Sequence, residues 1–207
     1  MIENKIPDIV VGRLPLYLRS LQRMEQENRL ITSSQELGER LGISAAQIRK
    51  DLSLFGEFGK QGTGYNIAYL IEKIQQILHV DRVWDVVVVG AGDIGSGLAR
   101  YQGFTNRGFR VVMIFDRDPS KIGTKIGNFI VQDSRNLSET VRKAGIKIAM
   151  IAVPSSEAQT VADQLVKGGI RAILNYAPIS ISVPSHVQVQ YIDPSIHLQR
   201  MTYYLEV

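Results

Sequence analysis

The sequence predicts an α/β protein with an amino-terminal winged helix-turn-helix domain and a carboxy-terminal Rossmann-like parallel-sheet domain. Three observations carry this reading. Two helix-start signals, Ser33 with Glu36 and Ser44 with Gln47, flank Gly42. A glycine-dense stretch, FGKQGTGYN at 58–66, follows directly. Further on, the β-branched run at 86–89 enters Gly90-Ala91-Gly92-Asp93-Ile94-Gly95.

In chain order, Leu14, Leu18, Leu21 and Met24 recur at helical spacing and predict an amphipathic helix over 15–28, with Pro15 tolerated in its first turn. Leu37 and Leu41 then form the inner face of the first motif helix, Gly42 supplies the turn, and Ile48 and Leu52 form the inner face of the second. That leaves Ser44, Gln47, Arg49 and Lys50 for its leading and outer faces. Ser44 and the helix terminus suit phosphate, Gln47 an adenine edge, Arg49 guanine or phosphate, and Lys50 phosphate. The alternative is an αα-hairpin with a solvated polar face. A glycine-rich turn after such a helix reads as a hairpin, hence a wing, with Lys60 at its tip. An ordinary hairpin carrying a lysine is the competing reading. Helical spacing resumes over 67–80, and a linker is expected at about 80–84.

In the second half, strand, GxGxxG turn and helix are followed by another strand, 111–115, ending at Asp116, twenty-one residues beyond Gly95. This is the dinucleotide fingerprint. Gly90 makes the turn, Gly92 lets a pyrophosphate approach, and Gly95 allows helix and strand to pack. Asp116 accepts from ribose hydroxyls, and its charge favours NAD(H) over a 2′-phosphorylated cofactor, a preference that Arg117 weakens. A Rossmann-like domain holding coenzyme A or S-adenosylmethionine is the alternative. Strands over 148–153 and 172–174 end near Val153, Pro154, Asn175 and Ala177, which are therefore candidates for the nicotinamide side, with loop packing the alternative for each. Asp93 inside the turn would repel a pyrophosphate, so its side chain is expected to face solvent.

Composition sets the limits. The 207 residues, 44% hydrophobic and 21% charged, describe a globular protein with room for two domains of about 80 and 120 residues. The absence of cysteine excludes disulfides and thiolate metal sites, and no metal site is expected. No apolar run approaches the length of a membrane span and the first residues lack a signal-peptide pattern, so a cytoplasmic location with no membrane partner is expected. Net charge is +4, yet residues 1–80 hold ten Lys/Arg against nine Asp/Glu, so any DNA-binding charge must gather on one face. The three histidines, at 79, 186 and 197, are poorly placed as proton-transfer groups, and little chain is left for a substrate domain. The nucleotide reads as a signal, with no catalytic residue.

From about Pro7 to its end, the chain resembles the Rex family of bacterial redox-sensing repressors. The resemblance lies in AAQIRKDLSLFGEFGKQGTGY (45–65), VVGAGDIGSGLARY (88–101), IFDRDPSKIG (114–123) and ILNYAP (173–178). It implies a homodimer on palindromic operator DNA that NADH releases, with NAD+ competing for the same site. It implies operator or phosphate contacts at Arg13, Arg49, Lys50 and Lys60, and a tyrosine near the nicotinamide at Tyr101. It also implies a cross-subunit switch pair, Arg19 with Asp193, and a terminal helix over 196–205 exchanged between subunits. The resulting division is a winged-helix domain at 1–80, an NAD(H)-binding domain at 81–195 and a dimerisation helix at 196–207. Two residues depart from the family pattern: Pro194, where an aromatic residue is common, and Asp93, where a neutral or basic one is. A dry wall made by Tyr101 and Ala177 would favour neutral NADH over cationic NAD+. A small NAD-dependent enzyme with a fused regulatory domain, and a coenzyme A-responsive regulator, remain as rivals.

Overall fold

Helical spacing in the first 80 residues becomes a small α-helical unit in the computed structural model, which describes residues 6–59 and 64–205. The chain forms two compact units, Met1–Arg82 and Val83–Val207. In the first, α1 (Asp8–Val11) leads to α2 (Leu14–Gln26), β1 (Ile31–Thr32), α3 (Ser34–Leu41), α4 (Ala45–Ser53), β2 (Tyr65–Asn66) and α5 (Ile67–Ile77). Leu14, Tyr17, Leu21 and Met24 of α2 meet Leu37, Ile48, Leu52 and the Leu70–Ile74 face of α5 in one core. Each fully buried aliphatic side chain there contributes roughly 1.5–3 kcal/mol.

Local chemistry sets the helix-turn-helix. Ser33 Oγ accepts from the Glu36 N–H at 3.1 Å and Ser44 Oγ from the Gln47 N–H at 3.2 Å, marking both helix starts. Gly42 ends α3 in the left-handed region at φ 68°. Gly38 is the close-packing position: a Cβ there would stand 2.3 Å from the Ile43 carbonyl oxygen, so only glycine lets the turn cross α3.

The glycine-rich stretch differs in part from the hairpin expected. Tyr65 and Asn66 pair antiparallel with Thr32 and Ile31, a strand that precedes α3 and is too short to carry an alternation signal. Lys60 lies outside the described residues.

The second unit is a doubly wound sheet. Its elements are β3 (Trp84–Val89), α6 (Asp93–Arg100), β4 (Phe109–Asp116), β5 (Lys125–Ile126), β6 (Phe129–Ile130), β7 (Gln132–Asp133), α7 (Leu137–Ala144), β8 (Ile148–Ile151), α8 (Ser155–Lys167), β9 (Ala172–Asn175), β10 (Gln188–Tyr191) and α9 (Pro194–Thr202). The six-stranded sheet has the order β10-β9-β8-β3-β4-β7, with every pairing parallel. Val87 and Val89 pack with Phe115 against α7 and α8, whereas Val86 and Val88 pack with Ile114 and Met150 against α6. Period-two alternation with both faces covered explains why the strand is uniformly apolar.

From β3 the chain winds outward to β4 and β7, then returns to β8 on the other side of β3. The carboxyl ends of β3 and β8 therefore flank the switch point, where open α/β sheets bind ligands. The last helix, α9, buries none of its residues. Among the described residues no helix is long and apolar enough to cross a membrane.

Candidate functional site

At the switch point three glycines do separate work. Gly90 has φ 105°, and a Cβ there would meet the Ala152 carbonyl oxygen at 2.2 Å, so β8 leaves the sheet through space that only glycine vacates. At Gly95 a Cβ would stand 1.7 Å from the Gly90 oxygen, so α6 can seat on the turn only without one. Gly92, the residue before α6, has open space on its Cβ side. Open space at a helix amino terminus is what a bound phosphate requires.

Asp116, at the end of β4, anchors this turn. Its Oδ2 accepts from the Ala91 N–H at 2.7 Å, its Oδ1 accepts from the Asp118 N–H at 2.8 Å, and Lys121 Nζ stands 3.5 Å away. Burial alone would raise its pKa. The two N–H donors and the lysine outweigh that and hold the carboxyl below its ordinary range, so it stays ionised. Two carboxylate oxygens provide about four acceptor positions, which leaves capacity for a ribose hydroxyl.

These elements surround a cavity of about 660 Å³. Of the residues expected to bind a cofactor, Gly90, Gly92, Asp93, Ile94, Asp116, Arg117, Val153 and Pro154 line it. Asp93 is exposed in the first turn of α6. Ala91 and Gly95 lie behind the wall, and the Ala91 N–H is taken by Asp116.

Three of the expected residues lie off this cavity. Asn175 and Ala177 do not line the cavity. Both are buried, and the Asn175 amide closes the loop by donating to the Ala177 and Ile179 carbonyls and accepting from the Ala177 N–H. Tyr176 and Pro178 face the cavity instead. Alternation continued beyond β9 would have signalled this, since Ile173, Asn175 and Ala177 all point inward. Tyr101 is also absent from this wall: α6 carries it about 12 Å from the turn. There it stacks edge-on with Phe104 and lines a separate cavity of about 410 Å³. Val153, Pro154, Tyr176 and Pro178 form an apolar stretch of this cavity's wall, and Thr160 and Gln164 of α8 add polar side chains to it.

In the helical unit, Arg49 and Lys50 are exposed on α4, Ser44 caps it, and Arg49 Nη1 donates to Ser34 Oγ at 2.9 Å. Arg49 lies with Ser33, Ser34, Phe58 and Tyr65 around a surface cleft of about 590 Å³. Two further expectations differ here. Arg13 does not present its charge outward: Nε and Nη2 bind the buried carboxylate of Asp51 at 2.5 and 2.7 Å. Gln47 is turned to the same carboxylate, with Nε2 donating at 2.7 Å, so one of its two amide hydrogens is already committed. Both follow from Asp51 pointing inward, where a bare carboxylate would be costly.

Of the switch residues, Arg19 is exposed on α2, and Asp193 caps α9 by accepting from the Ser195 N–H and Oγ at 2.9 and 2.6 Å. Those bonds hold its carboxyl below the ordinary range. Among the described residues no cluster of three or more His, Cys, Asp or Glu side chains is positioned to hold a metal ion.

Comparison with known proteins places this geometry. A family model described as "CoA binding domain" matches residues 81–179, and one described as "Putative DNA-binding protein N-terminus" matches residues 5–53. A redox-sensing transcriptional repressor Rex of Chloroflexus aggregans is 52% identical over 199 residues, covering 96% of this chain and 94% of that protein. Its counterpart in Pelotomaculum thermopropionicum is 43% identical over 201 residues, covering 97% and 94%. Among solved structures, RSP in complex with β-NAD+ and operator DNA superposes with a TM-score of 0.93 at 36% identity, covering 98% of this chain and 94% of that one. RSP in complex with β-NADH gives 0.89 at 34% identity, covering 98% and 95%.

Proposed function

The chain belongs to the Rex family of redox-sensing transcriptional repressors, and from that premise we propose that it represses transcription as a homodimer on palindromic operator DNA. NADH, bound in the crevice at the switch point, releases it, and NAD+ competes for the same place. The observation that carries this reading is the crevice itself: an open helix terminus at Gly92 beside an ionised Asp116, in a chain whose helix-turn-helix exposes Arg49 and Lys50. Pyrophosphate belongs at the start of α6, the adenosine ribose at Asp116, and the nicotinamide toward Val153, Pro154 and Tyr176.

The chain reads its cofactor and does not turn it over. No histidine lines the cavity, and its lysine, Lys121, faces the carboxylate of Asp116. NADH differs from NAD+ by one positive charge, and an apolar wall of Val153, Pro154 and Tyr176 disfavours the cation. Arg49, Lys50 and Lys60 supply the operator contacts, and a cytoplasmic location accompanies a DNA partner. The cross-subunit pairing of Arg19 with Asp193 belongs to the same reading.

An operator gel shift over a range of NADH at fixed NAD+ tests it. Release by NADH, opposed by NAD+, is the expected result, and operator binding indifferent to both would overturn it. The match to a CoA-binding family model supports one rival, a coenzyme A-responsive regulator. Its ribose 3′-phosphate would meet the ionised Asp116, so coenzyme A in the same titration is expected to have no effect.

A further inference from the structure

We propose that Glu157 is a positioning residue for cofactor choice: by holding Arg117, it keeps that guanidinium from receiving a ribose 2′-phosphate and so biases the crevice against NADP(H). The inference rests on reading this crevice as the NADH/NAD+ site.

The argument begins with Arg117. It follows Asp116 directly at the carboxyl end of β4, and both line the cavity. An arginine near the ribose-binding acid is the group that accommodates a 2′-phosphate in dinucleotide sites. On sequence alone this chain therefore carries opposed signals, Asp116 against the phosphate and Arg117 for it. The structure supplies a third group. Arg117 Nη1 lies 2.7 Å from Glu157 Oε2, in the first turn of α8, and Glu157 also lines the cavity.

The remaining charges at this end are committed as well. Lys121 Nζ stands 3.5 Å from Asp116 Oδ2, and Asp118 turns back to accept from the Ser120 N–H and Oγ at 2.9 and 2.7 Å. Both cations near the ribose position thus already face a carboxylate. A 2′-phosphate would bring close to two negative charges into this arrangement. To gain Arg117 it would have to displace Glu157, and it would still face Asp116.

The Arg117–Glu157 pair is unequal: the arginine side chain is 70% exposed and the glutamate 23%. The glutamate is the more fixed partner, which suits an anchor on a helix, and the guanidinium is the part free to swing when released. An exposed pair is weak, so the expected bias is modest.

The test is the ratio of dissociation constants for NADH and NADPH, measured by titration calorimetry on the full chain. Glu157→Gln is expected to shift that ratio toward NADPH by about threefold, the size an exposed ion pair supports. In Glu157→Gln combined with Arg117→Ala the shift should vanish, because the released guanidinium is its cause. A merely structural role for Glu157 would weaken both cofactors together and leave the ratio still. An unmoved ratio in Glu157→Gln, or an equal shift in the double variant, overturns the inference while NADH binding by the native chain leaves the crevice reading intact. A native chain that binds neither cofactor overturns both.

Discussion

The Arg13 guanidinium grips the Asp51 carboxylate through two hydrogen bonds, joining α2 to α4 beneath the outward-facing cations of the helix-turn-helix. Tyr17 adds a third bond to that carboxylate at 2.6 Å and Gln47 a fourth at 2.7 Å, so a fully buried acid is saturated. Saturation is what makes its burial tolerable. The orientation of α4 is therefore tied to α2 by charge as well as by the Ile48 and Leu52 packing.

Removing one member leaves the others uncompensated. Asp51→Ala leaves the part-buried Arg13 and the buried Tyr17 hydroxyl without their acceptor and is expected to destabilise the protein by about 1–3 kcal/mol. Denaturant unfolding measures this, and a loss below about 1 kcal/mol would show the network to be incidental. The pH dependence has a definite sign. Burial would raise the Asp51 pKa, but the bonds from Arg13, Tyr17 and Gln47 outweigh it and hold the carboxyl below its ordinary range. The contribution is therefore complete above the unfolded value of about 3.9 and is lost as pH falls through the lower folded value. Near neutral pH that contribution is constant, so stability there should not change with pH through this group.

On the outward side of α4, Arg49→Ala is expected to weaken operator binding by about tenfold to a hundredfold, the cost of a good base or phosphate contact. NADH affinity should be unchanged, since Arg49 lies in the helical unit and the crevice is built from the other. Lys50→Ala should weaken all DNA sequences alike and lower the salt slope of binding by about one. Gel shifts at two salt concentrations measure both effects, and full operator affinity in Arg49→Ala would remove α4 as the reading helix.

At the crevice, Asp116→Ala is expected to weaken NADH and NAD+ about equally, by roughly tenfold or more, since a charge-assisted hydrogen bond to a shared ribose is lost. The same change leaves the Ala91 N–H without its acceptor, so part of the loss is a looser glycine turn. Calorimetric titration decides the matter: a clearly unequal loss would place Asp116 near the nicotinamide.

Legibility in the sequence followed the range of the cause. Gly92, Gly95 and the two serine caps act within a few residues of themselves, and their pattern states their role, whereas Gly90 also clears the distant Ala152 carbonyl. Asp51 and Arg13 are 38 residues apart, and no local pattern joins them. A trace was nevertheless present, because Asp51 shares the inward stripe of Ile48 and Leu52 and an acid there demands a partner. Asn175 and Ala177 follow a predicted strand end, a position that suits cavity residues, but alternation turns both inward. The family likeness implies Tyr101 near the nicotinamide, while the length of α6 carries it beyond this cavity. The Thr32–Tyr65 pairing joins two-residue strands across the whole helix-turn-helix, below any periodic signal.

The terminal helix gives the last test. Ile196, Leu198 and Met201 are each 61% exposed, Tyr204 and Leu205 still more, and none of the residues of α9 is buried. A helix of nine residues is too short to hold itself in water, and its apolar side chains are not buried among the described residues. A second copy that covers them would supply both the missing stability and the homodimer of the proposed repressor. Leu198→Glu with Met201→Glu places charge in that contact and is expected to turn a dimer into a monomer in sedimentation experiments. The unit that holds the crevice should stay folded, because neither side chain contributes to its core. Operator affinity should then fall with dimerisation, since half of a palindromic contact is lost. A native chain that sediments as a monomer, or a double variant that remains dimeric, would take α9 out of the interface.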